Sequence, residues 1–147
     1  MFKRITELLR KIWHSVNIAS KENTIPKAVP SVEEAIVPFD PEDFTIQPNE
    51  LKAMIDSGRK IILLDVREEW EYQQVHIESA VSIPLGQLPK RIGELSPVDE
   101  IVVYCHRGMR SLDAAYLLQQ VGFKSVLSID GGIDRWACEV DPEMQRY

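Results

Sequence analysis

Two unbroken apolar runs constrain the fold more than any other feature of this sequence. They are Ile61-Ile62-Leu63-Leu64 and Ile101-Val102-Val103-Tyr104, and a charged residue lies directly before each of them. A strand with one face in water alternates apolar and polar side chains, whereas an unbroken apolar run is typical of a strand buried on both faces. Because such strands occur in parallel sheets covered by helices, the two runs predict an α/β fold.

Helical and extended patterns alternate over the rest of the chain from Pro48 onward. The predicted helices cover residues 48–58, 68–75, 88–95 and 111–121, and a last short helix ends near Trp136. Gly58 and Gly122 lie at the ends of the first and fourth helices, where glycine commonly stops a helix. Two further strands are predicted at residues 81–83 and 125–129. This order predicts an open parallel sheet flanked by helices.

The first 41 residues differ in character from the rest. Apolar residues recur at steps of three and four in residues 1–17, which predicts an amphipathic helix. Residues 18–41 contain four prolines among small and charged residues and are interpreted as a linker. Residues 42–147 then form one folded domain, which the chain length of 147 residues allows.

The apolar stripe of the predicted 1–17 helix has two interpretations. It packs on its own domain or on a second copy of the chain, which is the usual reason for such a stripe and the favoured interpretation. Alternatively it binds a membrane surface as a peripheral anchor, since Trp13 and basic flanks suit that role. The first 30 residues hold six Lys/Arg against two Asp/Glu, whereas the remainder holds 11 against 21. The basic leader and the acidic body are therefore expected to have different roles.

Composition and charge exclude several classes of protein. No apolar run approaches the roughly 18–20 residues of a membrane-spanning helix. Basic residues interrupt the apolar N-terminus, which is unlike a secretory signal and favours a cytoplasmic location. A net charge of -6 argues against a nucleic-acid partner. Cys105 and Cys138 are too few for a disulfide framework or a structural zinc site, so no metal or other cofactor is expected.

The segment from Cys105 to Ser111 lies between the end of a predicted buried strand and the start of a helix. Ligands bind at this place in open α/β sheets, and the helix N-terminus adds positive potential there. Arg107 and Arg110 add charge, and no acidic residue lies within the segment. Gly108 lets the backbone turn tightly beside the sulfur. This setting favours a cysteine thiolate and predicts Cys105 as a nucleophile.

Four motifs in this order resemble the rhodanese family and cover about two-thirds of the chain, from near Pro48 to Trp136. They are Asp65-Val66-Arg67-Glu68 with Glu71-Tyr72, His76-Ile77 with Ala80 and Ile83-Pro84-Leu85, Cys105 to Ser111, and Gly131-Gly132 with Trp136. The family usually has glycine where this chain has Val75 and Ser79, which puts that turn in question. The resemblance implies a sulfurtransferase that carries a sulfane sulfur on Cys105 as a persulfide.

The resemblance and the loop chemistry together define the predicted site. Cys105 is the catalytic residue, and the predicted substrate-binding residues are His106, Arg107, Gly108, Met109, Arg110 and Ser111. Arg110 is the preferred ligand of an anionic donor because it closes the loop, whereas Arg107 and His106 are interpreted more readily as solvent-facing. The resemblance implies a structural role for Asp65 and Arg67.

Three further residues or pairs outside the loop have competing interpretations. His76 is interpreted as structural, and Gly131-Gly132 as a tight strand-to-helix turn rather than a phosphate loop. Cys138 could resolve an oxidised Cys105 as a disulfide, but this is the less favoured role because it needs close geometry.

Three functions compete for the chain. In the favoured one, a small anionic donor such as thiosulfate, or a protein persulfide, gives its sulfur to Cys105 and a nucleophile or protein then accepts it. Phosphatase or arsenate reductase chemistry is disfavoured, because related phosphatases have five residues between Cys and Arg and this chain has four between Cys105 and Arg110. The third function is a non-catalytic binding module that the basic leader recruits to a membrane or a partner.

Overall fold

A computed structural model describes residues 39–147 of the chain. The predicted helix 1–17 and nearly all of the predicted linker 18–41 lie outside the described residues, so both stay predictions. The described part begins beside a short 3-10 helix, Pro41–Phe44, whose Phe44 ring stacks on Phe39 at a centroid distance of 4.7 Å. Between residues 39 and 147, no helix has the length and apolar character needed to cross a membrane.

Between residues 39 and 147, five parallel strands form one open sheet, which confirms the predicted α/β class. The strands are β1 Thr45–Ile46, β2 Ile62–Asp65, β3 Val81–Ser82, β4 Glu100–Tyr104 and β5 Ser125–Ile129. Their order in the sheet is β1-β5-β4-β2-β3, and every neighbouring pair is parallel. The two strands predicted from unbroken apolar runs, β2 and β4, are neighbours within the sheet. The carboxyl end of β4 therefore lies between β2 and β5.

Within residues 39–147, four α-helices connect the five strands and a fifth follows β5, and their bounds agree closely with the predicted ones. They are α1 Pro48–Asp56, α2 Glu69–Gln74, α3 Leu88–Arg91, α4 Met109–Gln120 and α5 Gly132–Glu139. The helix predicted at 88–95 is α-helical only to Arg91 and continues as the 3-10 helix Ile92–Glu94. Helix α5 runs three residues beyond Trp136. Strand β1 was not predicted, because a strand of two residues carries no periodic pattern.

Successive residues of β4 belong to the two different faces of the sheet. Ile101 and Val103 lie in a core cluster with residues of α4, whereas Val102 and Tyr104 lie in a second cluster with residues of α1 and α5. Both clusters are buried, which explains the unbroken apolar run. Cys105 continues the alternation and belongs to the cluster on the α4 side. The strand thus delivers the cysteine to the start of α4.

The turn after α2 has Val75 and Ser79 at the positions where the family usually has glycine. The backbone accommodates these two residues in different ways. Val75 has φ -163°, an extended conformation that any residue adopts. Ser79 has φ 67° and is the one residue other than glycine with positive φ between residues 39 and 147. The turn closes through a hydrogen bond from the Ala80 N–H to the Ile77 carbonyl at 3.1 Å. The missing glycines therefore leave the turn intact, and the backbone strain is confined to Ser79.

Candidate active site

Cys105 follows β4 directly, and its sulfur lies under the first turn of α4. The residue is buried, with 1% of its surface exposed. The Gly108 N–H donates a hydrogen bond to Cys105 Sγ at 3.1 Å. Gly108 has φ 100° and precedes the first residue of α4, so the backbone turns there in a conformation that glycine adopts readily. A main-chain donor aimed at the sulfur stabilises negative charge on it.

Two buried serine hydroxyls lie beside the sulfur. The Cys105 thiol donates to Ser111 Oγ at 3.5 Å, and Ser111 Oγ donates to the Gly108 carbonyl at 3.2 Å. Ser128 Oγ, which comes from β5, lies 2.7 Å from Ser111 Oγ. A hydroxyl proton rotates freely about its C–O bond, so this pair can offer the sulfur a donor when the thiol ionises. Ser128 was missed in the sequence, where its signal is a polar residue between Leu127 and Ile129 inside a strand.

The start of helix α5 holds the other end of the cysteine loop. The Ile133 N–H donates to the Cys105 carbonyl at 2.9 Å, and the Asp134 N–H donates to the His106 carbonyl at 3.0 Å. A Cβ on Gly132 would lie 2.5 Å from both of these carbonyl oxygens. Gly131 and Gly132 both have positive φ, at 72° and 62°. The pair makes the tight strand-to-helix turn that the sequence predicted, and α5 donates its first N–H groups to the protein's own backbone.

Arg110, the preferred ligand of an anionic donor, is held by a carboxylate of helix α2. Its Nη1 and Nη2 donate to Glu71 Oε2 at 2.8 Å and Oε1 at 3.0 Å. Burial alone would raise the pKa of Glu71, but hydrogen bonds from Arg110, the Glu68 N–H and Tyr147 lower it to about 2. The same pairing raises the pKa of Arg110. The Arg110 side chain is about one-third exposed, so its charge still reaches the surface beside the loop.

A second ion pair lies behind the first and is fully buried. Arg67 donates to Asp65 through Nε at 2.9 Å and through Nη2 at 2.6 Å. Arg67 Nη2 also donates to the Val75 carbonyl at 2.6 Å, which ties the turn after α2 to the end of β2. A buried charge is tolerated only when it is paired and hydrogen-bonded. Neither side chain reaches the surface, in agreement with the structural role that the resemblance implied.

Tyr147, the last residue of the sequence, lies beside the cysteine loop and carried no motif by which it could be found. Its ring stacks on the His106 ring at a centroid distance of 4.3 Å and an interplanar angle of 10°. Its hydroxyl accepts a hydrogen bond from Arg67 Nη1 at 2.6 Å and donates one to Glu71 Oε1 at 2.9 Å. His106 is half-buried rather than freely exposed, because the Tyr147 ring stacks on one of its faces.

The other predicted residues lie outside this network. Arg107 and Met109 are exposed at the surface of the loop, and Met109 is 64% exposed. Cys138 is exposed on α5, whereas Cys105 is buried, and both thiols are free. Within residues 39–147 no group of three or more His, Cys, Asp or Glu side chains is arranged to hold a metal ion.

Comparison with known proteins identifies the family. The family model of the rhodanese-like domain matches residues 47–139. The chain belongs to the rhodanese-like family. Two solved structures show the same fold. A rhodanese-related protein from Thermoplasma volcanium has a TM-score of 0.60 and 29% identity, and the match covers 66% of this chain and 93% of that one. Reduced Bacillus anthracis CoADR-RHD has a TM-score of 0.62 and 30% identity, and the match covers 70% of this chain and 18% of that one.

Curated relatives of this rhodanese-like chain carry names from sulfur metabolism. The putative sulfur carrier protein YrkF of Bacillus subtilis is 44% identical over 85 residues, which are 58% of this chain and 46% of YrkF. The probable adenylyltransferase/sulfurtransferase MoeZ of Mycobacterium tuberculosis is 38% identical over 105 residues, 70% of this chain and 27% of MoeZ. The putative sulfurtransferase YtwF of B. subtilis is 36% identical over 93 residues, 63% of this chain and 89% of YtwF. The chain spans less than half the length of YrkF and MoeZ.

Proposed function

We propose that this protein is a sulfurtransferase that carries a sulfane sulfur on Cys105 between a thiosulfate or persulfide donor and a nucleophilic acceptor. The Cys105 thiolate attacks the outer sulfur of the donor and forms a new S–S bond. The old bond breaks, and its electron pair leaves with sulfite or with the donor thiolate. A nucleophile then attacks the outer sulfur, and Cys105 departs as a thiolate. The cycle needs no external oxidant or reductant.

One observation supports the proposal most strongly: a main-chain N–H, that of Gly108, points at Cys105 Sγ at 3.1 Å. Sulfur transfer passes through anionic sulfur twice, as the attacking thiolate and as the terminal sulfur of the persulfide. A fixed amide and the adjacent hydroxyl of Ser111 stabilise such an anion without a separate general base. The names of YrkF, MoeZ and YtwF support sulfur transfer as the general reaction.

The same geometry bears on the donor and the acceptor. Cys105 is 1% exposed, which favours a small anion or a narrow chain end over a bulky substrate. Arg110 shares its charge with Glu71, while Arg107 is exposed at the loop surface. We therefore propose either a small anion or a protein persulfide as the sulfur donor. The names of YrkF and MoeZ support a protein carrier as partner. The cytoplasmic location and the role of the N-terminal stripe stay predictions of the sequence.

The decisive experiment follows sulfur onto Cys105. Purified protein incubated with thiosulfate should gain the mass of one sulfur atom on the Cys105 peptide, and added cyanide should release thiocyanate and restore the original mass. Cys105→Ser should do neither, whereas Cys138→Ser should do both. The proposed thiosulfate reaction fails if Cys105→Ser stays active. If the parent protein takes up sulfur only from a low-molecular-weight persulfide, thiosulfate is removed as a donor and the persulfide reaction stands.

A further inference from the structure

Tyr147 joins the two ion pairs that lie beside the cysteine loop. Its hydroxyl accepts a hydrogen bond from the fully buried guanidinium of Arg67 at 2.6 Å and donates to Glu71 Oε1 at 2.9 Å. Glu71 holds Arg110 through both carboxylate oxygens. One hydroxyl thus connects a fully buried arginine to the partly exposed arginine of the loop.

The ring of Tyr147 is fixed as firmly as its hydroxyl. It stacks on His106, the residue after Cys105, and it packs edge-on against Trp70 at a centroid distance of 6.1 Å. The Arg67 guanidinium lies 5.7 Å from the ring centroid. These contacts leave the hydroxyl little freedom to turn away from Glu71. The tyrosine therefore acts on the carboxylate from a fixed position.

The hydroxyl and Arg110 compete for the same carboxylate oxygen. Glu71 Oε1 accepts from Arg110 Nη2 at 3.0 Å and from the Tyr147 hydroxyl at 2.9 Å. A second donor draws part of the negative charge of the carboxylate and fixes its plane, so less of the Arg110 charge is cancelled. Without the hydroxyl, the whole of Oε1 becomes available to Arg110, and the loop becomes less attractive to anions.

We propose that Tyr147 is a positioning residue for the cysteine loop, acting through Glu71 to keep the charge of Arg110 available to anions that approach Cys105. The role deepens the proposed sulfurtransferase function, since it determines how strongly an anionic sulfur donor is preferred over a neutral one. It does not require Tyr147 to touch the donor. A purely structural tyrosine would affect stability but not the preference for anionic reagents.

The test compares two alkylating reagents of similar size and different charge, in a Cys138→Ser background that leaves Cys105 as the one thiol. The Cys105 thiolate displaces iodide from iodoacetate, an anion, or from iodoacetamide, which is neutral. The ratio of the two second-order rate constants reports the charge at the mouth of the loop. We expect Tyr147→Phe to lower this ratio by about threefold or more. Tyr72→Phe, which also loses one hydroxyl hydrogen bond, here to the Ala80 carbonyl, should leave the ratio unchanged.

Two further variants test whether the effect passes through the carboxylate and Arg110. Glu71→Gln removes the charge that neutralises Arg110 and should raise the ratio. If Tyr147→Phe does not fold, this variant still tests whether Glu71 controls the charge that approaching anions meet. In an Arg110→Met background, Tyr147→Phe should have no further effect on the ratio. The proposal is overturned if Tyr147→Phe matches the parent, if Tyr72→Phe lowers the ratio equally, if Glu71→Gln leaves it unchanged, or if the effect of Tyr147→Phe persists without Arg110.

Alkylation does not depend on sulfur transfer, so the two proposals fail separately. Thiocyanate production is measured on the same preparations. A parent protein that makes no thiocyanate but shows the expected ratios refutes the thiosulfate reaction and supports the positioning role. If the parent makes thiocyanate but every variant has the same ratio as the parent, sulfur transfer is supported and the role of Tyr147 is refuted.

Discussion

The cysteine loop is supported on its two sides by different kinds of contact. The inner support consists of the Gly131–Gly132 turn, the first N–H groups of α5 and the Ser111–Ser128 hydroxyl pair. Its hydrogen bonds to the loop come from main-chain N–H groups and uncharged hydroxyls, and the atoms lie inside the protein. It fixes the loop by the shape of the backbone, because a single added Cβ at Gly132 would meet two carbonyl oxygens.

The outer support consists of the Arg110–Glu71 and Arg67–Asp65 ion pairs with Tyr147 between them. Here charged side chains make most of the contacts. Arg67 and Asp65 are two positions apart, but Glu71 is far in sequence from both Arg110 and Tyr147. The strength of the outer support depends on the ionisation of a carboxylate, whereas that of the inner support does not. The comparison indicates that the position of the sulfur is set by the backbone, whereas the charge around it is set by side chains that can change independently.

The largest expected effect comes from Gly132→Ala, which breaks the inner support. The new Cβ would lie 2.5 Å from the Cys105 and His106 carbonyl oxygens, at φ 62°. Left-handed strain and overlap together should lower the free energy of unfolding by about 3 kcal/mol or more and abolish sulfur transfer. Urea unfolding and thiocyanate release measure the two effects.

Two other glycines separate the causes. Gly93→Ala adds a Cβ with no atom within 4 Å and no positive φ, and it should have little effect. Gly58→Ala adds one in open space at φ 80°, so it measures left-handed strain alone and should cost about 1–2 kcal/mol. If Gly132→Ala costs no more than Gly58→Ala, close packing at the loop does not limit this position, and the inner support is softer than its geometry indicates.

The outer support should instead weaken in acid. Glu71 has a folded-state pKa of about 2, below its ordinary value of 4.5. A carboxyl group with a lowered pKa contributes stability that is complete above about pH 4.5 and is lost as the pH falls towards 2. The shift corresponds to roughly 3 kcal/mol as an upper value. Glu71→Gln should therefore be less stable than the parent at pH 7, and the difference should stay constant down to about pH 4.5 and shrink below it.

Urea unfolding at a series of pH values between 3 and 7 measures this difference. Glu94→Gln serves as the control, since Glu94 forms a surface pair with Arg91 and half of its side chain is exposed. A surface pair of this kind contributes 0–1 kcal/mol. A Glu71→Gln effect that stays constant with pH would show that the carboxylate acts by shape rather than by charge, and the two supports would then not differ in kind.

A smaller effect is expected from Ser128→Ala, again on the inner side. The substitution removes a buried hydroxyl that lies 2.7 Å from Ser111 Oγ. It should cost about 1 kcal/mol of stability and slow the reaction of Cys105 with iodoacetamide a few-fold, because a hydrogen bond donated by Ser128 strengthens the Ser111 hydroxyl as a donor to the sulfur. Ser128→Thr, which keeps the hydroxyl, should restore the reactivity. Equal alkylation rates in the alanine variant and the parent would exclude Ser128 from the chemistry.

The sequence predicts the inner support far better than the outer one, for a physical reason. Ser111 lies with Cys105 in one short segment between a strand and a helix, and Gly131 and Gly132 are adjacent, so local patterns and a family resemblance suffice to place them. Ser128 is the exception. The unbroken apolar runs likewise identify β2 and β4, since burial on both faces leaves a mark at every residue. Strand β1 leaves no such mark in the sequence, because two residues cannot show a periodic pattern.

The outer support depends on contacts that only the folded chain creates. Arg110 and Glu71 are 39 positions apart, and Tyr147 and Glu71 are 76 apart. Their meeting depends on how α2, α4 and the C-terminal segment lie against one another at the ends of the strands. A lone tyrosine at the end of a sequence has no pattern that distinguishes it from a solvent-exposed one. Sequence reasoning therefore assigned Arg110 to an anionic donor without its carboxylate partner.

The smallest expected effect is a gain in stability, at the turn that supplies the Val75 carbonyl to Arg67. Ser79 adopts φ 67° in this turn, a conformation that costs a side chain other than glycine roughly 1–2 kcal/mol. Glycine removes this strain but loses more entropy on folding, so Ser79→Gly should raise the free energy of unfolding by about 0.5 kcal/mol. Ser79→Ala keeps the strain and should give no gain. If both variants are less stable than the parent, the Ser79 side chain itself holds the turn, and the outer support depends on one more polar contact than the backbone conformation indicates.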